Sequence, residues 1–206
     1  GGHSLGGTIR VSGAKNSALV LMTASLLTAD TLELCNVPDL TDIGGMSEIL
    51  ASLGVKVERQ ADRVRLNAAV LSSSKPPYEL VNSLRASFFS IGPLLGRLGH
   101  AKVPLPGGCR IGARPVVEHI RGLKALGAVI QVEHGIIHAN VPGPNKRLKG
   151  ASIILDCPSV GATQTSLLAA APAPGRASAR AAGGTAAAES IVFRTYSCIY
   201  PLGVKT

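Results

Sequence analysis

The strongest constraint on this chain is an internal repeat with a period of about 70 residues. Leu53–Val55 ends an amphipathic stretch and begins an alternating one, and Leu126–Ala128 does the same. Gly54 and Gly127 are 73 residues apart, and a further Leu-Gly-Val follows 76 residues later at Leu202–Val204. Each glycine stands where a helix needs a C′ residue before the chain turns into a strand. The repeat therefore predicts a fold built from copies of one supersecondary unit.

Periodicity predicts an amphipathic helix and a pair of strands around each glycine. Apolar residues recur at helical spacing before both glycines, at Met46, Ile49, Leu50 and Leu53 and again at Val116, Ile120, Leu123 and Leu126. Alternating, strand-like stretches follow at Val55–Leu66 and Val129–Val141. In the second stretch Gly135 is expected to form a hairpin turn.

A second, more apolar helix is expected earlier in each unit. Ser17–Leu27 and Arg85–Leu95 are candidates 68 residues apart, and Ala162–Ala171 is a third. Each unit then has the order β-α-β-α-β-β, with the apolar helices packed together inside and the sheets outside. The predicted class is α/β. An ordinary α/β sandwich without repeat symmetry is the alternative.

The charge narrows the choice of partner. The formal net charge is +9, which suits nucleic acid, a membrane surface or a small anionic substrate. The basic residues are scattered, however, and aromatic residues that could stack on bases make up only 3% of the chain. A phosphorylated small molecule is therefore favoured, with neither nucleic acid nor a membrane as a partner.

Cysteine usage argues against a metal site and against a disulfide framework. Four cysteines occur, at positions 35, 109, 157 and 198, with no CxxC pair and no histidine at zinc-ligand spacing. Such a low cysteine content in a chain of 206 residues is typical of a reducing compartment. The longest apolar stretches, such as Ala18–Leu27, are too short to span a membrane. We expect a cytoplasmic protein without a metal site.

Three segments place cations or free amides where they could bind an anion. In Ser12–Ser17, at a predicted helix start, Gly13 lets the backbone approach a ligand and Lys15 adds a positive charge, although such a lysine could equally be a solvated surface residue. Arg85 lies in an apolar helix, where a charge needs a partner, and an acidic neighbour is the alternative explanation. Asp156–Thr163 places Ser159 as the cap of the third apolar helix, which could equally be only a capped helix. Repeated units could aim these helix starts at one shared anion site.

The loop Leu105–Pro115 is the most informative segment. It contains three glycines and two prolines, and Cys109 is followed closely by Arg110 and Arg114. Nearby cations lower the pKa of a thiol and raise its reactivity. A small buried side chain is the alternative role of a free cysteine, but the surroundings favour a reactive one.

Together these motifs resemble the UDP-N-acetylglucosamine 1-carboxyvinyltransferase family, the UDP-N-acetylglucosamine enolpyruvyl transferases. The resemblance covers the N-terminal part of that family and rests on four segments in the family's order: Ser12–Asn16, Leu84–Ser87, Leu105–Pro115 and Ser159–Thr163. The sister family of the shikimate pathway shares the fold but lacks the cysteine-bearing Pro-Gly-Gly-Cys loop. The resemblance implies an inverted α/β barrel of the enolpyruvyl transferase type, with a second domain that these residues do not supply.

The resemblance also implies a reaction and residue roles. Enolpyruvyl would pass from phosphoenolpyruvate to the 3′-hydroxyl of UDP-N-acetylglucosamine with release of phosphate, the first committed step of peptidoglycan precursor synthesis. The resemblance implies neither a metal nor an organic cofactor for this reaction. Lys15, Asn16 and Arg114 would bind phosphoenolpyruvate, and Cys109 would donate a proton and be the residue that fosfomycin alkylates. The nucleotide sugar would contact Arg85, Arg114, Pro115, Val116, Val117, Glu118, Cys157, Pro158, Ser159 and Val160.

The end of the chain departs from the family. From Ala169 to Ala188, 11 of 20 residues are alanine, and no apolar period survives. We expect an incomplete N-terminal domain over residues 1–171 and a divergent, irregular tail over 172–206, which suggests a shifted reading frame or a truncated gene model. The catalytic Asp of the family has no counterpart at a matching motif. The chain is thus expected to be an inactive fragment, or a non-catalytic half-barrel that binds a nucleotide sugar or anion.

Overall fold

The computed structural model describes residues 2–4, 6–9, 11–106, 116–181 and 191–195. The helices are α1 (Lys15–Ala24), α2 (Thr41–Ser52), α3 (Tyr78–Ser83), α4 (Ile91–Leu98), α5 (Val117–Ala125) and α6 (Val160–Ala170), with 3₁₀ helices at Ser25–Leu27 and Arg85–Ser90. The strands are β1 (Thr31–Leu34), β2 (Lys56–Gln60), β3 (Arg63–Asn67), β4 (His100–Pro104), β5 (Val129–Glu133), β6 (Ile136–Asn140), β7 (Ser152–Leu155), β8 (Gly175–Ala181) and β9 (Ile191–Thr195).

The first unit, from α1 to β3, and the second unit, from α4 to β6, repeat each other strand by strand. Their sheets have the orders β1-β3-β2 and β4-β6-β5, and all four pairings are antiparallel. Asn67 pairs with the first residues of β1 and β2, and Asn140 pairs with the first residues of β4 and β5. Both units run α-β-α-β-β, so the predicted repeat is confirmed over these elements. The leading strand of the expected unit is seen before α6, as β7. The described residues before α1, and the residues between β3 and α4, form no strand.

The two glycines that revealed the repeat end α2 and α5 in the same way. Gly54 has a φ of 101° and Gly127 a φ of 97°, a region that side chains disfavour. The amide of Gly54 donates a hydrogen bond to the carbonyl oxygen of Ala51, and the amide of Gly127 donates one to the carbonyl oxygen of Lys124, both at a distance of 2.9 Å. The predicted C′ positions are therefore confirmed, and the hairpin at Gly135, which has a φ of 75°, is confirmed as well.

The apolar helices lie inside and pack against each other through glycines. A Cβ at Gly92 of α4 would lie 2.6 Å from the carbonyl oxygen of Thr165 in α6. A Cβ at Gly122 of α5 would lie 2.1 Å from Ser166 Oγ in the same helix. Helix α6 is therefore held closely on two sides, and α1 packs on α2. Leu26, Leu94 and Leu123 are fully buried in the shared core.

The second apolar helix differs from the expected continuous helix over Arg85–Leu95. Residues Arg85–Ser90 are 3₁₀, and the α-helix begins only at Ile91. Pro93 explains the change, because it has no N–H to donate to Phe89 and its ring would clash with that carbonyl in an α-helix. At the third position of α4 the proline is tolerated.

The expectation of an irregular tail is wrong over Gly175–Ala181. This segment is β8, which pairs in parallel with β7 and antiparallel with β9. Ala177 and Ala179 point inward and are buried, while Arg176 and Arg180 are exposed. Alternation of small alanines with arginines is enough for a half-buried strand, although it gives little apolar signal. Leu202–Val204 lies outside the described residues.

Candidate functional site

The first candidate is the start of α1, where Lys15 is the first helical residue. Ala14 is at the N-cap position with an extended backbone, and it provides no side-chain hydrogen bond to α1. Lys15 Nζ forms an ion pair with Asp42 in the first turn of α2, and its side chain is 44% exposed. Asn16 is exposed. Lys15 can therefore meet an anionic ligand, which would compete with Asp42 for its charge.

Gly13, beside this start, allows two loops to touch. A Cβ at Gly13 would lie 1.8 Å from the carbonyl oxygen of Asn36, whose own φ is 57°. A cavity of about 160 Å³ adjoins the contact and is lined by the start of α1 and by Leu34–Val37. The sequence suggested that Gly13 lets the backbone approach a ligand, but packing of the chain on itself already accounts for this glycine.

The second candidate is Arg85, the half-buried first residue of the 3₁₀ helix. Leu84 before it is buried and lies over α2, because a Cβ at Gly45 would be 3.7 Å from Leu84 Cδ2. Arg85 also lies close enough to His119 of α5 for its charge to affect that imidazole. Arg85 thus stands between the first unit and α5.

His119 is a buried residue that the sequence analysis did not single out. Its Nδ1 is 2.9 Å from Thr165 Oγ1 of α6, and its ring meets the edge of Phe88 at 5.1 Å between centroids. Burial, reinforced by the charge of Arg85, lowers the pKa of His119 to about 4. The imidazole is therefore neutral at physiological pH. It lies three residues after Val116, on the apolar stripe of α5, and this spacing could have drawn attention to it.

The third candidate is the loop from β7 into α6. Ser159 caps α6, since its Oγ accepts a hydrogen bond from the amide of Ala162 at 3.2 Å, so the predicted cap is confirmed. Cys157 and Pro158 are exposed, and Val160 is 75% exposed. The eleven-residue helix thus begins at an exposed residue, whereas Ala162 in its first turn is buried and its amide is bonded to Ser159.

The start of α5 lies beside that loop. Val116 is partly buried and Val117 is 56% exposed. Glu118, which is expected to contact the nucleotide sugar, accepts a hydrogen bond at its carboxylate from the amide of Asp156 at 2.9 Å. Arg121 forms ion pairs with both Glu118 and Asp156. The α5 start and the β7–α6 loop are therefore brought together by direct contacts.

A series of contacts joins the three candidates. Lys15 pairs with Asp42 in α2, and Leu84 lies over Gly45 one turn further along that helix. Arg85 follows Leu84 and acts on His119. The ring of His119 lies against Gly161, where an added Cβ would be 3.1 Å from Cε1. Lys15, Arg85 and the start of α6 are thus linked through a few intermediate residues.

Part of the expected site cannot be placed in this way. Cys109, Arg110, Arg114 and Pro115 lie outside the described residues. Their proposed roles remain predictions, as do the roles of the site residues that the structure describes.

The outer face of the first sheet carries a larger cavity, of about 500 Å³, lined mostly by charged residues. Its charges pair with each other: Glu33 bonds to Arg63 at 2.9 Å and to Arg65 at 3.1 Å. Hydrogen bonds from Arg63 and Arg65 lower the pKa of Glu33. These internal pairs leave little unbalanced charge for a ligand, so we do not place the site here.

Two further observations concern the described part of the chain. No group of three or more His, Cys, Asp or Glu residues there is placed to hold a metal ion. None of its helices is both long and apolar enough to cross a membrane.

The family model and three curated relatives that match this chain are all carboxyvinyltransferases. A family model described as EPSP synthase (3-phosphoshikimate 1-carboxyvinyltransferase) matches residues 1–199. Proteins named UDP-N-acetylglucosamine 1-carboxyvinyltransferase are similar over 175 residues, or 85% of this chain: 77% identical in Synechococcus sp. strain CC9605, 70% in Prochlorococcus marinus strain MIT 9313 and 57% in Trichormus variabilis. The resemblance seen in the sequence is confirmed. The chain spans only about 40% of the length of these curated relatives.

Solved structures confirm the fold. The enolpyruvyl transferase NikO from Streptomyces tendae has a TM-score of 0.70 at 21% identity, over 87% of this chain and 42% of that one. EPSP synthase from Acinetobacter baumannii has a TM-score of 0.65 at 19% identity, over 87% and 41%. The predicted barrel domain of the enolpyruvyl transferase type is thus correct.

Proposed function

Because the chain belongs to the EPSP synthase family, we propose that it carries the nucleotide-sugar-binding part of an enolpyruvyl transferase. The proposed reaction is transfer of enolpyruvyl from phosphoenolpyruvate to the 3′-hydroxyl of UDP-N-acetylglucosamine, with release of phosphate, in the cytoplasm. The observation that carries this choice is the 77% identity to a relative named UDP-N-acetylglucosamine 1-carboxyvinyltransferase. Tested alone, the 206-residue chain should bind the nucleotide sugar without turning it over.

The charges along the contact series support an anionic ligand. Phosphoenolpyruvate carries a phosphate and a carboxylate, so several cations at close range would stabilise both its binding and the charge that develops during addition and elimination. We assign Lys15, Asn16 and Arg114 to phosphoenolpyruvate. Because Lys15 is already paired with Asp42, phosphoenolpyruvate must offer more than that one contact to displace the carboxylate.

The nucleotide sugar is assigned to the region between Arg85 and the start of α6. The diphosphate would meet the guanidinium of Arg85 and the free amides after Ser159, since helix N-termini favour anions. Val116, Val117, Pro158 and Val160 would provide apolar contacts around it. Cys109 would protonate the enol carbon, because a thiol flanked by cations is an available acid.

Calorimetric titration of UDP-N-acetylglucosamine into the 206-residue chain tests the binding half of this proposal. We expect saturable binding that Arg85→Ala weakens at least tenfold, about 1.4 kcal/mol. Arg65→Ala is the matched control, because Arg65 lies on the outer sheet face and pairs with Glu33. No binding by the unaltered chain, or equal weakening by both substitutions, would contradict the assignment.

Phosphate release tests the catalytic half. With phosphoenolpyruvate and UDP-N-acetylglucosamine together, we expect no release above background from the chain alone, because the catalytic Asp implied by the resemblance has no counterpart at a matching motif. Release that disappears in Cys109→Ala would instead show that the chain completes a site, for example by self-association. That outcome would overturn the proposal of binding without turnover.

A further inference from the structure

Two consecutive residues of α5 hold the β7–α6 loop, one at each end. Glu118 contacts the loop where it leaves β7, and His119 contacts the first turns of α6 where the loop ends. The segment between them, 156–161, contains the capping Ser159 and the first amides of α6. The position of these amides is therefore set by α5 as well as by the loop itself.

The Glu118 end is a charged, nearly buried contact. The Glu118 side chain is 12% exposed, and its Oε2 accepts the amide hydrogen of Asp156 at 2.9 Å. Arg121, one turn along α5, lies 3.6 Å from the same carboxylate and also pairs with the side chain of Asp156. Hydrogen bonds to a charged group are stronger than those between neutral groups. Glu118 thus fixes the backbone, and Arg121 fixes the Asp156 side chain.

The His119 end is a packed, uncharged contact. The ring is 7% exposed and touches three groups: Thr165 through Nδ1 at 2.9 Å, Phe88 edge-on at 85° between ring planes, and Gly161. Gly161 leaves room for the ring, because a Cβ there would be 3.1 Å from Cε1 and 3.2 Å from Nε2. Any side chain at position 161 would push the ring and the helix start apart.

Arg85 explains why the contact suits a neutral ring. Arg85 on the 3₁₀ helix acts on the ring with its positive charge, while Arg121 of α5 forms ion pairs with Glu118 and Asp156. A protonated ring would place a second positive charge near Arg85, in a buried position that already disfavours the charged form. A neutral imidazole can therefore join Arg85 to α6 without adding a second positive charge.

We propose that Glu118 and His119 are positioning residues that fix the start of α6 at a set distance from Arg85. Under the proposed function, on which this inference rests, the fixed distance lets both groups meet the diphosphate of the nucleotide sugar at once. Neither residue has to touch the ligand. Because they already order the loop, less conformational entropy is lost when the ligand binds.

Thr165→Val and Thr165→Ser form the matched pair that tests this proposal. Valine keeps the shape of threonine and removes the hydroxyl that bonds to His119, whereas serine keeps the hydroxyl. We expect Thr165→Val to weaken UDP-N-acetylglucosamine binding about tenfold and Thr165→Ser by no more than about twofold. Uridine, which has no phosphate, should bind all three proteins equally. A loss for uridine as large as that for UDP-N-acetylglucosamine would indicate a merely structural role and overturn the proposal.

Hydrogen exchange separates this inference from the proposed function. With no ligand present, the amides of residues 156–163 should exchange about tenfold faster in Thr165→Val, while those of the β2–β3 hairpin should not change. Should Thr165→Val fail to fold, Glu118→Gln provides the same test, because it keeps an acceptor for Asp156 but loses the charge that holds Arg121. Unchanged exchange in a folded variant would refute positioning. If exchange in the variant is faster as expected but the unaltered chain does not bind UDP-N-acetylglucosamine, only the proposed function is refuted.

Discussion

The starts of α1 and α6 occupy the same place in the repeat but are anchored differently. Helix α1 starts at Ala14 without a side-chain cap, and its Lys15 forms an ion pair with the partly exposed Asp42. Helix α6 starts with a Ser159 cap, and its first turns contact α4 and α5 closely. One helix start offers a movable charge and the other offers fixed amides. A shared fold thus allows two kinds of anion contact at equivalent positions.

The largest expected effect comes from breaking the packing that holds α6. Gly92→Ala would place a Cβ 2.6 Å from a backbone carbonyl of α6, which cannot move without shifting the helix. We expect a loss of about 2–4 kcal/mol in the free energy of unfolding, measured by urea denaturation.

Gly44→Ala in α2 is the control for that substitution. Its added Cβ would meet only the end of the Arg59 side chain, at 3.8 Å. Alanine is the better helix former, so we expect a gain of about 0.5–1 kcal/mol. Similar losses at both positions would contradict the idea that α6 is held more closely than the helices of the first unit.

The next largest effect is a pH dependence due to His119. Its pKa is about 4 in the folded chain against 6.5 when unperturbed, so the unfolded chain takes up a proton first as the pH falls. The stability that the neutral ring contributes is fully present above pH 6.5 and is lost as the pH falls towards 4. The difference amounts to about 3 kcal/mol.

Comparison with His119→Gln separates the contribution of His119 to the free energy of unfolding from that of the carboxylates that titrate in the same pH range. Urea denaturation of both proteins at intervals from pH 7.5 to pH 4.5 should show a gap that narrows as the pH falls. A constant gap across that range would mean that the ring is not held neutral by its surroundings.

The sequence predicted local features well and contacts between distant residues poorly. Gly54, Gly127 and the Ser159 cap depend on neighbours a few residues away, and all three were predicted correctly. Asp42 and His119 matter because of Lys15 and Thr165, which lie 27 and 46 residues away, and no local pattern reports such contacts. The site could therefore be recognised from its motifs, but not the residues that hold it in place.

The tail shows a different limit of the sequence argument. Strand β8 has no large apolar residues that would predict it, because its buried residues Ala177 and Ala179 are not strongly hydrophobic. A short strand next to β7 gains its backbone hydrogen bonds from pairing, and small side chains suit the close packing beneath it. Composition alone was therefore a poor guide to order in residues 175–181.

The smallest expected effect tests the comparison of the two helix starts directly. Ser159→Ala removes the oxygen that accepts from the amide of Ala162, and should cost about 1 kcal/mol of unfolding free energy. Ala14→Ser makes the opposite change at the start of α1. Ala14 already has the extended backbone of a capping residue, with φ of −78° and ψ of 124°, so a serine there should gain about 0.5–1 kcal/mol.

The double variant Ser159→Ala, Ala14→Ser should then unfold within about 0.5 kcal/mol of the unaltered chain. No hydrogen bond or ion pair among the described residues joins the two positions, so their effects should add. Thermal or urea denaturation of all four proteins measures each term. Binding should not follow stability: under the proposed function, Ser159→Ala weakens UDP-N-acetylglucosamine binding and Ala14→Ser does not restore it. If the double variant regained full affinity, the start of α6 would have no special part in binding, and the distinction between the two helix starts would fail.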